Sequence, residues 1–244
     1  MSSVKAHYDS LLAPHYSWIL GDFDTAYRQN ARLFEDLEIV PGGNGLAVDL
    51  GCGPGCQSVP LAERGFSVLA IDFCAELLGE LAQHGAHLPV TAICDDISNF
   101  RNHLPQKAEL IVCMGDSIVH LPDKDTVEQL IRDCADAVID GGSVILSLRD
   151  YTQPAPTGPA RFIPIRSDDQ RIFTCFLETV GDTIQVHDIL HTRQADGWHQ
   201  HVSAYRKLRL DYRWVMEVLV ANGLDIQSKS LRQGFITLHA MRTR

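Results

Sequence analysis

Residues Leu46–Ser58 read LAVDLGCGPGCQS. A short run, apolar except for Asp49, leads into three glycines at alternate positions, Gly51, Gly53 and Gly55. Such a run bounded by turn residues predicts a buried strand. Glycines directly behind it let bare backbone approach a ligand, and free N–H groups at the start of the following helix favour polar or anionic atoms. The dinucleotide fingerprint G-x-G-x-x-G is not met, because Cys56 stands three positions after Gly53. The spacing is G-x-G-x-G, with Asp49 at the carboxyl end of the strand. An acid there would crowd a pyrophosphate but suits a ligand with a cationic group.

Downstream, apolar runs alternate with amphipathic stretches. Strands are predicted at 67–72, 89–94, 108–114 and 143–148, and helices at about 58–64, 75–84 and 123–139. Continuous apolar strands separated by helices predict a parallel sheet covered on both faces, a doubly wound α/β domain. Four prolines between 151 and 164 break the rhythm. After them come three antiparallel candidates, 171–180, 183–193 and 198–210, joined by turns at Gly181-Asp182 and Asp196-Gly197. A helix at 212–221 and two last strands complete a seven-stranded, mostly parallel Rossmann-like sheet. The expected organisation is an N-terminal helical lid at 1–40, a ligand-binding domain from 41–150 and 210–244, and an antiparallel β insertion at 151–209 after the fifth strand.

The 244 residues are 45% apolar, enough for a sizeable core. No run of 18 apolar residues is present, and the start MSSVKAHYDS lacks the basic-then-apolar order of a secretory signal. We therefore expect a cytoplasmic protein that does not engage a membrane. The seven cysteines are odd in number and sit mostly in apolar runs, which suits free thiols. Cys52 and Cys56 lack a second Cys or His pair at zinc spacing. The net charge of −10 argues against contact with nucleic-acid phosphates. That charge is uneven: residues 151–210 hold seven Lys/Arg against six Asp/Glu.

VDLGCGPG, then Asp72 ending the second strand and Asp95-Asp96 after the third, resembles the class I S-adenosylmethionine-dependent methyltransferases. The resemblance covers nearly the whole chain, and a Rossmann-like domain using another nucleotide is the alternative. It implies S-adenosyl-L-methionine as cofactor, with its methionine part against the Gly51, Cys52 and Gly53 backbone and Asp49 beneath. Asp72 would accept both ribose hydroxyls and Phe73 would lie along the adenine. Asp96, or nearly as well Asp95, would take the adenine amino group, with the Ile97 N–H toward the ring. Met114 and Gly115 would stand beside the sulfonium. Tyr16 and Arg28 of the lid would meet the methionine end, Arg28 by pairing with its carboxylate. Each acid has a capping alternative, Asp72 above all.

Amino-methylating enzymes of nucleic acid carry an Asn/Asp-Pro-Pro-aromatic run where this chain has GDSI, so no DNA acceptor is expected. A small-molecule methyl acceptor is, with transfer to nitrogen or oxygen. A protein or tRNA methyltransferase is the alternative enzyme, a partner subunit without transfer the non-enzymatic one, and a homodimer is allowed. His120, after the fourth strand, is the candidate catalytic base because its ordinary pKa suits proton removal near neutrality. The insertion resembles the acceptor cover of small-molecule methyltransferases, including the glycine and sarcosine type. Period-two reading groups His187 with His191, and His199 with His201 and Tyr205. We expect His201 and Tyr205 to bind the acceptor and expect no metal. Arg206, Lys207 and Arg209 hint at an acidic acceptor, or form a charged strand edge.

Overall fold

The computed structural model describes residues 4–153, 156–232 and 234–243. The chain begins with short helices α1 (Val4–His7) and α2 (Tyr16–Ile19), linked by tight one-turn segments, and then α3 (Phe23–Asp36). There follow β1 (Leu46–Leu50), α4 (Ser58–Glu63), β2 (Ser67–Asp72), α5 (Ala75–His84), β3 (Val90–Cys94) and β4 (Ala108–Cys113). Next come α6 (Lys124–Ala137), β5 (Val138–Leu148), β6 (Phe162–Ser167), β7 (Arg171–Val180), β8 (Thr183–Gln194) and β9 (Gly197–Leu208). Helix α7 (Tyr212–Ala221) and strands β10 (Leu224–Arg232) and β11 (Phe235–Arg242) end the described chain.

Among the described residues the strands form two sheets. The larger runs β10-β11-β5-β4-β1-β2-β3, and β11 alone runs against the direction of the other strands. This is the doubly wound architecture the sequence predicts. All five residues of β1 are buried, because β2 and β4 flank it and helices cover both faces. Val48, Ile111 and Leu146 pack with α6 and α7 on one face, and Ala47, Val112 and Ile145 pack with α3, α4 and α5 on the other. The order reverses between β1 and β4, where an open α/β sheet offers a crevice.

The second sheet, β6-β7-β8-β9, is antiparallel. It has one strand more than the sequence suggests. Residues of β6 read as a proline-broken loop, yet Pro164 is accommodated at an edge, where one side of the strand needs no ladder donors. Helix α6 ends at Ala137 rather than Ile139, because Val138 turns extended (ψ 146°) and pairs with Ala108. The predicted N-terminal helix is broken at Pro14 and at Gly21 (φ +104°), and resumes at Asp22, which caps α3 through Thr25 N–H.

Register settles the insertion histidines. His187 lies opposite Ala204 and His191 opposite Gln200, whereas His201 lies opposite Leu190 and His199 opposite Thr192. Directly paired residues share a face, so the two groups project from opposite sides of the sheet. The inner face carries Phe173, Ile184, Val186, Leu190 and Tyr205. Leu11 and Leu12 of the N-terminal segment pack on Phe173 and Leu190.

Candidate active site

The glycine loop is shaped by contacts as much as by backbone freedom. Gly51 has φ +76°, and a side chain there would collide with Ser117 Oγ. Gly55 (φ +92°) would collide with Leu81 in the same way. The loop is tied to β2: Gly51 N–H and Cys52 N–H donate to Ile71 O (2.8 and 3.1 Å), and Gly53 N–H donates to Asp72 Oδ2 (2.9 Å).

A cavity of about 810 Å³ opens above this loop at the carboxyl ends of β1–β4. Gly51, Gly53, Asp72, Phe73, Asp95, Asp96, Ile97, Gly115, Tyr16 and His120 all line it. Asp72 also accepts from Cys74 N–H (2.8 Å), so it does both the jobs weighed for it, a turn-forming cap and a cavity wall. A carboxylate has about four lone-pair sites, and two remain for a vicinal diol. Burial raises the Asp72 pKa, against the pull of the Cys74 and Gly53 amides.

The two acids after β3 differ in how much they are engaged. Asp95 accepts from Asp96 N–H (2.7 Å), Asn99 Nδ2 (2.9 Å) and His103 Nε2 (2.7 Å), and these hold its pKa down to about 2. Among the described residues the Asp96 side chain accepts only from Ser98 N–H (2.8 Å), leaving it the freer acceptor.

Four of the expected binding residues lie elsewhere. Asp49 lines neither cavity: it is buried beneath the loop, its Oδ2 accepts from Ser58 Oγ (2.6 Å), and Oδ1 has no partner. Burial raises its pKa to about 7, partly offset by the Ser58 bond and reinforced by Asp72. Arg28 is exposed and outside both cavities. The inward face of α3 carries Ala26, Gln29, Asn30 and Leu33, and a residue two positions from Ala26 is rotated roughly 200° away. His201 sits on the inner face of β9 but is exposed near its start, 3.4 Å from Thr192 Oγ1. Tyr205 does not reach the cavity either; it packs behind His120, with ring centroids 5.4 Å apart.

His120 ends a one-turn helix (Ser117–His120) after β4, and its buried Nδ1 has no partner. Burial, aided by the Lys207 charge, pushes its pKa down to about 3. It is therefore a neutral imidazole at neutral pH.

Sequence reasoning expected a lid but gave no role to Tyr8, to His7 or to the struts. Tyr8 crosses the cavity between Phe73 (5.5 Å, edge-on), Tyr16 (5.7 Å) and His120 (6.2 Å). His7 anchors that roof to the insertion: Nε2 donates to Asp188 (2.9 Å), whose carboxylate can only accept, and Ser203 donates to Nδ1 (2.7 Å). Asp116, left-handed at φ +76°, accepts from Lys207 Nζ (2.7 Å), Tyr151 OH (2.9 Å) and Arg149 N–H (2.9 Å). Only the polar GDS turn signalled these ties.

A second cavity of about 600 Å³ adjoins the first, sharing Tyr16, Gly51, Gly53, Gly115 and Ser117. Met114 and Cys52 line it. Gly115 N–H is held by Ser147 Oγ (2.9 Å).

This donor set fits S-adenosylmethionine: a side-chain-free loop, an acid with spare lone pairs one strand over, aromatic walls and a further acid after β3. A family model described as a methyltransferase domain matches residues 47–142. An O-methyltransferase of ubiquinone biosynthesis from Proteus mirabilis is 34% identical over 131 residues, 52% of each chain. Human glycine N-methyltransferase is 28% identical over 68% of this chain and 62% of its own length. The matched stretch thus spans about half to three fifths of those curated relatives. Among solved structures, an S-adenosylmethionine-dependent methyltransferase from Clostridium acetobutylicum superposes with a TM-score of 0.75 at 17% identity, covering 97% of this chain and 99% of that one. An amino pentose methyltransferase from Micromonospora echinaspora, solved with S-adenosylmethionine bound, gives 0.73 at 14% identity, with 100% and 99% covered. Glycine loop, acids, sheet order and domain match point one way: residues 47–142 carry a methyltransferase domain, and the chain has the fold of S-adenosylmethionine-dependent methyltransferases.

Proposed function

We propose that this protein transfers the methyl group of S-adenosylmethionine to a nitrogen or oxygen of a small polar molecule. The observation that carries this reading is the wall common to the two cavities, formed by Tyr16, Gly51, Gly53, Gly115 and Ser117. It lets a cofactor in the first chamber and an acceptor in the second meet at one place. The relatives support both acceptor atoms, since one is named for O-methylation and another for N-methylation.

When bound, the cofactor supplies a sulfonium-activated methyl group, so the chain's tasks are alignment and exclusion of water. Tyr8, Tyr16 and Phe73 roof the first chamber against solvent. Asp72 and Asp96 orient the nucleoside. His120 stands in the wall of the first chamber and, neutral with its pKa held near 3, can accept a hydrogen bond from an N–H or O–H that reaches past the shared wall, while the proton released on transfer leaves to water. The insertion lends Arg206 to the first chamber, the acidic surface disfavours nucleic acid, and the seven free cysteines suit the cytoplasm. No helix among the described residues is long and apolar enough to cross a membrane.

Calorimetry with S-adenosylmethionine and S-adenosylhomocysteine, followed by methyl-labelled cofactor with metabolite pools, tests the reading. Binding of both and label transfer are expected. Failure to bind either ligand would sink it, and binding without transfer would recast the chain as a partner subunit.

A further inference from the structure

The two chambers differ in charge. The first is lined by Asp72, Asp95 and Asp96, with Lys5 and Arg206 at its margins. The second is lined by Arg32, Arg149 and Arg232 and by no Asp or Glu, in a chain whose net charge is −10. Arg232 is paired with Asp36 (2.8 Å), whereas no carboxylate partner is seen for Arg149 or Arg32 among the described residues. We propose that this second chamber recognises the acceptor by an anionic group, a carboxylate or a phosphate, held on Arg149 with Arg32 as the second cation. The inference rests on the methyl-transfer reading and narrows it to acidic acceptors.

Arg149 is built into place. Its guanidinium lies 4.1 Å over the Phe235 ring, and Nη1 packs so closely on Gly234 that a Cβ there would come within 2.9 Å. Its backbone N–H donates to Asp116 Oδ1 (2.9 Å), and Asp116 lies between Gly115 and Ser117 of the shared wall. The cation is thus tied to the spot where the chambers meet, and a stacked guanidinium keeps its edge donors free for a bidentate anion. Arg32 approaches from α3, one turn beyond Gln29.

The cofactor's own carboxylate does not account for this lining. Its methionine tail is a zwitterion, so one guanidinium suffices for the carboxylate and the ammonium calls for an acceptor. A chamber with two guanidinium groups that lack a carboxylate partner among the described residues, and no acid in its lining, suits a ligand with net negative charge.

The test uses the full chain with methyl-labelled S-adenosylmethionine and a small-molecule metabolite extract split by anion exchange into retained and unretained pools. Labelled product is expected in the retained pool. Phosphatase treatment of that pool before the assay separates the sources: label that persists in the retained pool marks a carboxylate, and label that is lost marks a phosphate. Arg149→Met is expected to cut labelling by about tenfold or more, the loss of a charge-assisted bond, and Arg32→Met by less. Both should bind S-adenosylhomocysteine within about threefold of wild type, a difference under 1 kcal/mol. Label confined to the unretained pool overturns this inference and leaves methyl transfer standing. So does a tenfold loss of cofactor affinity in Arg149→Met, which would give that arginine to the cofactor. No label in either pool overturns the transfer reading and this inference with it.

Discussion

Lys207 Nζ lies 2.7 Å from Asp116 Oδ2, and both side chains are almost wholly removed from solvent. The pair joins β9 of the insertion to the turn after β4, across 91 positions of sequence. Asp116 keeps its pKa below the usual carboxylate value although burial opposes it, because the Lys207 charge and hydrogen bond and the Arg149 N–H together outweigh burial. Removing one partner leaves a buried charge without compensation, which costs about 3–5 kcal/mol. Lys207→Met and Asp116→Asn should each lower the thermal midpoint markedly, and the double variant should recover part of the loss. A double-mutant cycle in denaturant measures this; strict additivity would show the pair to be uncoupled.

Asp72 combines a loop tie with a cavity wall, so its substitution should affect both. Asp72→Ala should weaken S-adenosylmethionine binding by about 1.5–3 kcal/mol, the scale of lost charged hydrogen bonds, and lower stability as Gly53 and Cys74 N–H lose their acceptor. Asp96→Ala should weaken cofactor binding more than Asp95→Ala, because the Asp95 oxygens are already committed to Asp96 N–H, Asn99 and His103. Calorimetry of the three variants ranks them, and equal losses at 95 and 96 would remove the distinction.

His120 has a folded pKa near 3, below its ordinary value of 6.5. Between those values the unfolded chain holds the proton and the native one does not, so stability rises with pH through that window and is lost on acidification. His120→Gln should flatten the dependence of the melting midpoint between pH 4 and pH 6.5. It should also lower kcat by about tenfold with cofactor affinity kept, since a positioning bond contributes less than a full general base. A pH–rate profile with an acid limb near 6.5 that vanishes in the variant would instead assign a titrating base.

Asp49 has the opposite sign. Its folded pKa of about 7 stands above the ordinary 3.8, so the native state holds the proton longer and stability falls as pH rises from about 4 to about 7. Asp49→Asn keeps an acceptor for Ser58 and removes the charge. Its melting midpoint should gain on wild type between pH 5 and pH 8, with cofactor affinity within about threefold, under 1 kcal/mol. A parallel pair of curves would mean that Asp49 is not protonated in the native state at pH 5.

The sheet could be read from the sequence because each central strand is a continuous apolar run, the pattern that burial on two faces demands. The loop and the acids at strand ends were legible for a related reason: the carboxyl ends of parallel strands converge on one crevice, so order along the chain becomes proximity. What depended on rotation or on distant partners was not legible. Arg28 and Arg32 are both arginines of one helix, and only the angle about its axis decides which faces a chamber. Tyr205 and Arg206 are adjacent, yet Arg206 alone lines the cavity. Asp116 and His7 become informative only with Lys207 and Asp188 beside them, and no local spacing encodes those meetings.

The roof over the first chamber also sets the order in which the molecule can be completed. His7 bonds to residues 181 and 196 positions further along. A chain emerging from the ribosome therefore exposes its first helices long before their anchors exist, and the sheet can assemble while the chamber is still open. His7 must wait for partners synthesised much later, and contacts of such long sequence separation are also the slowest to form.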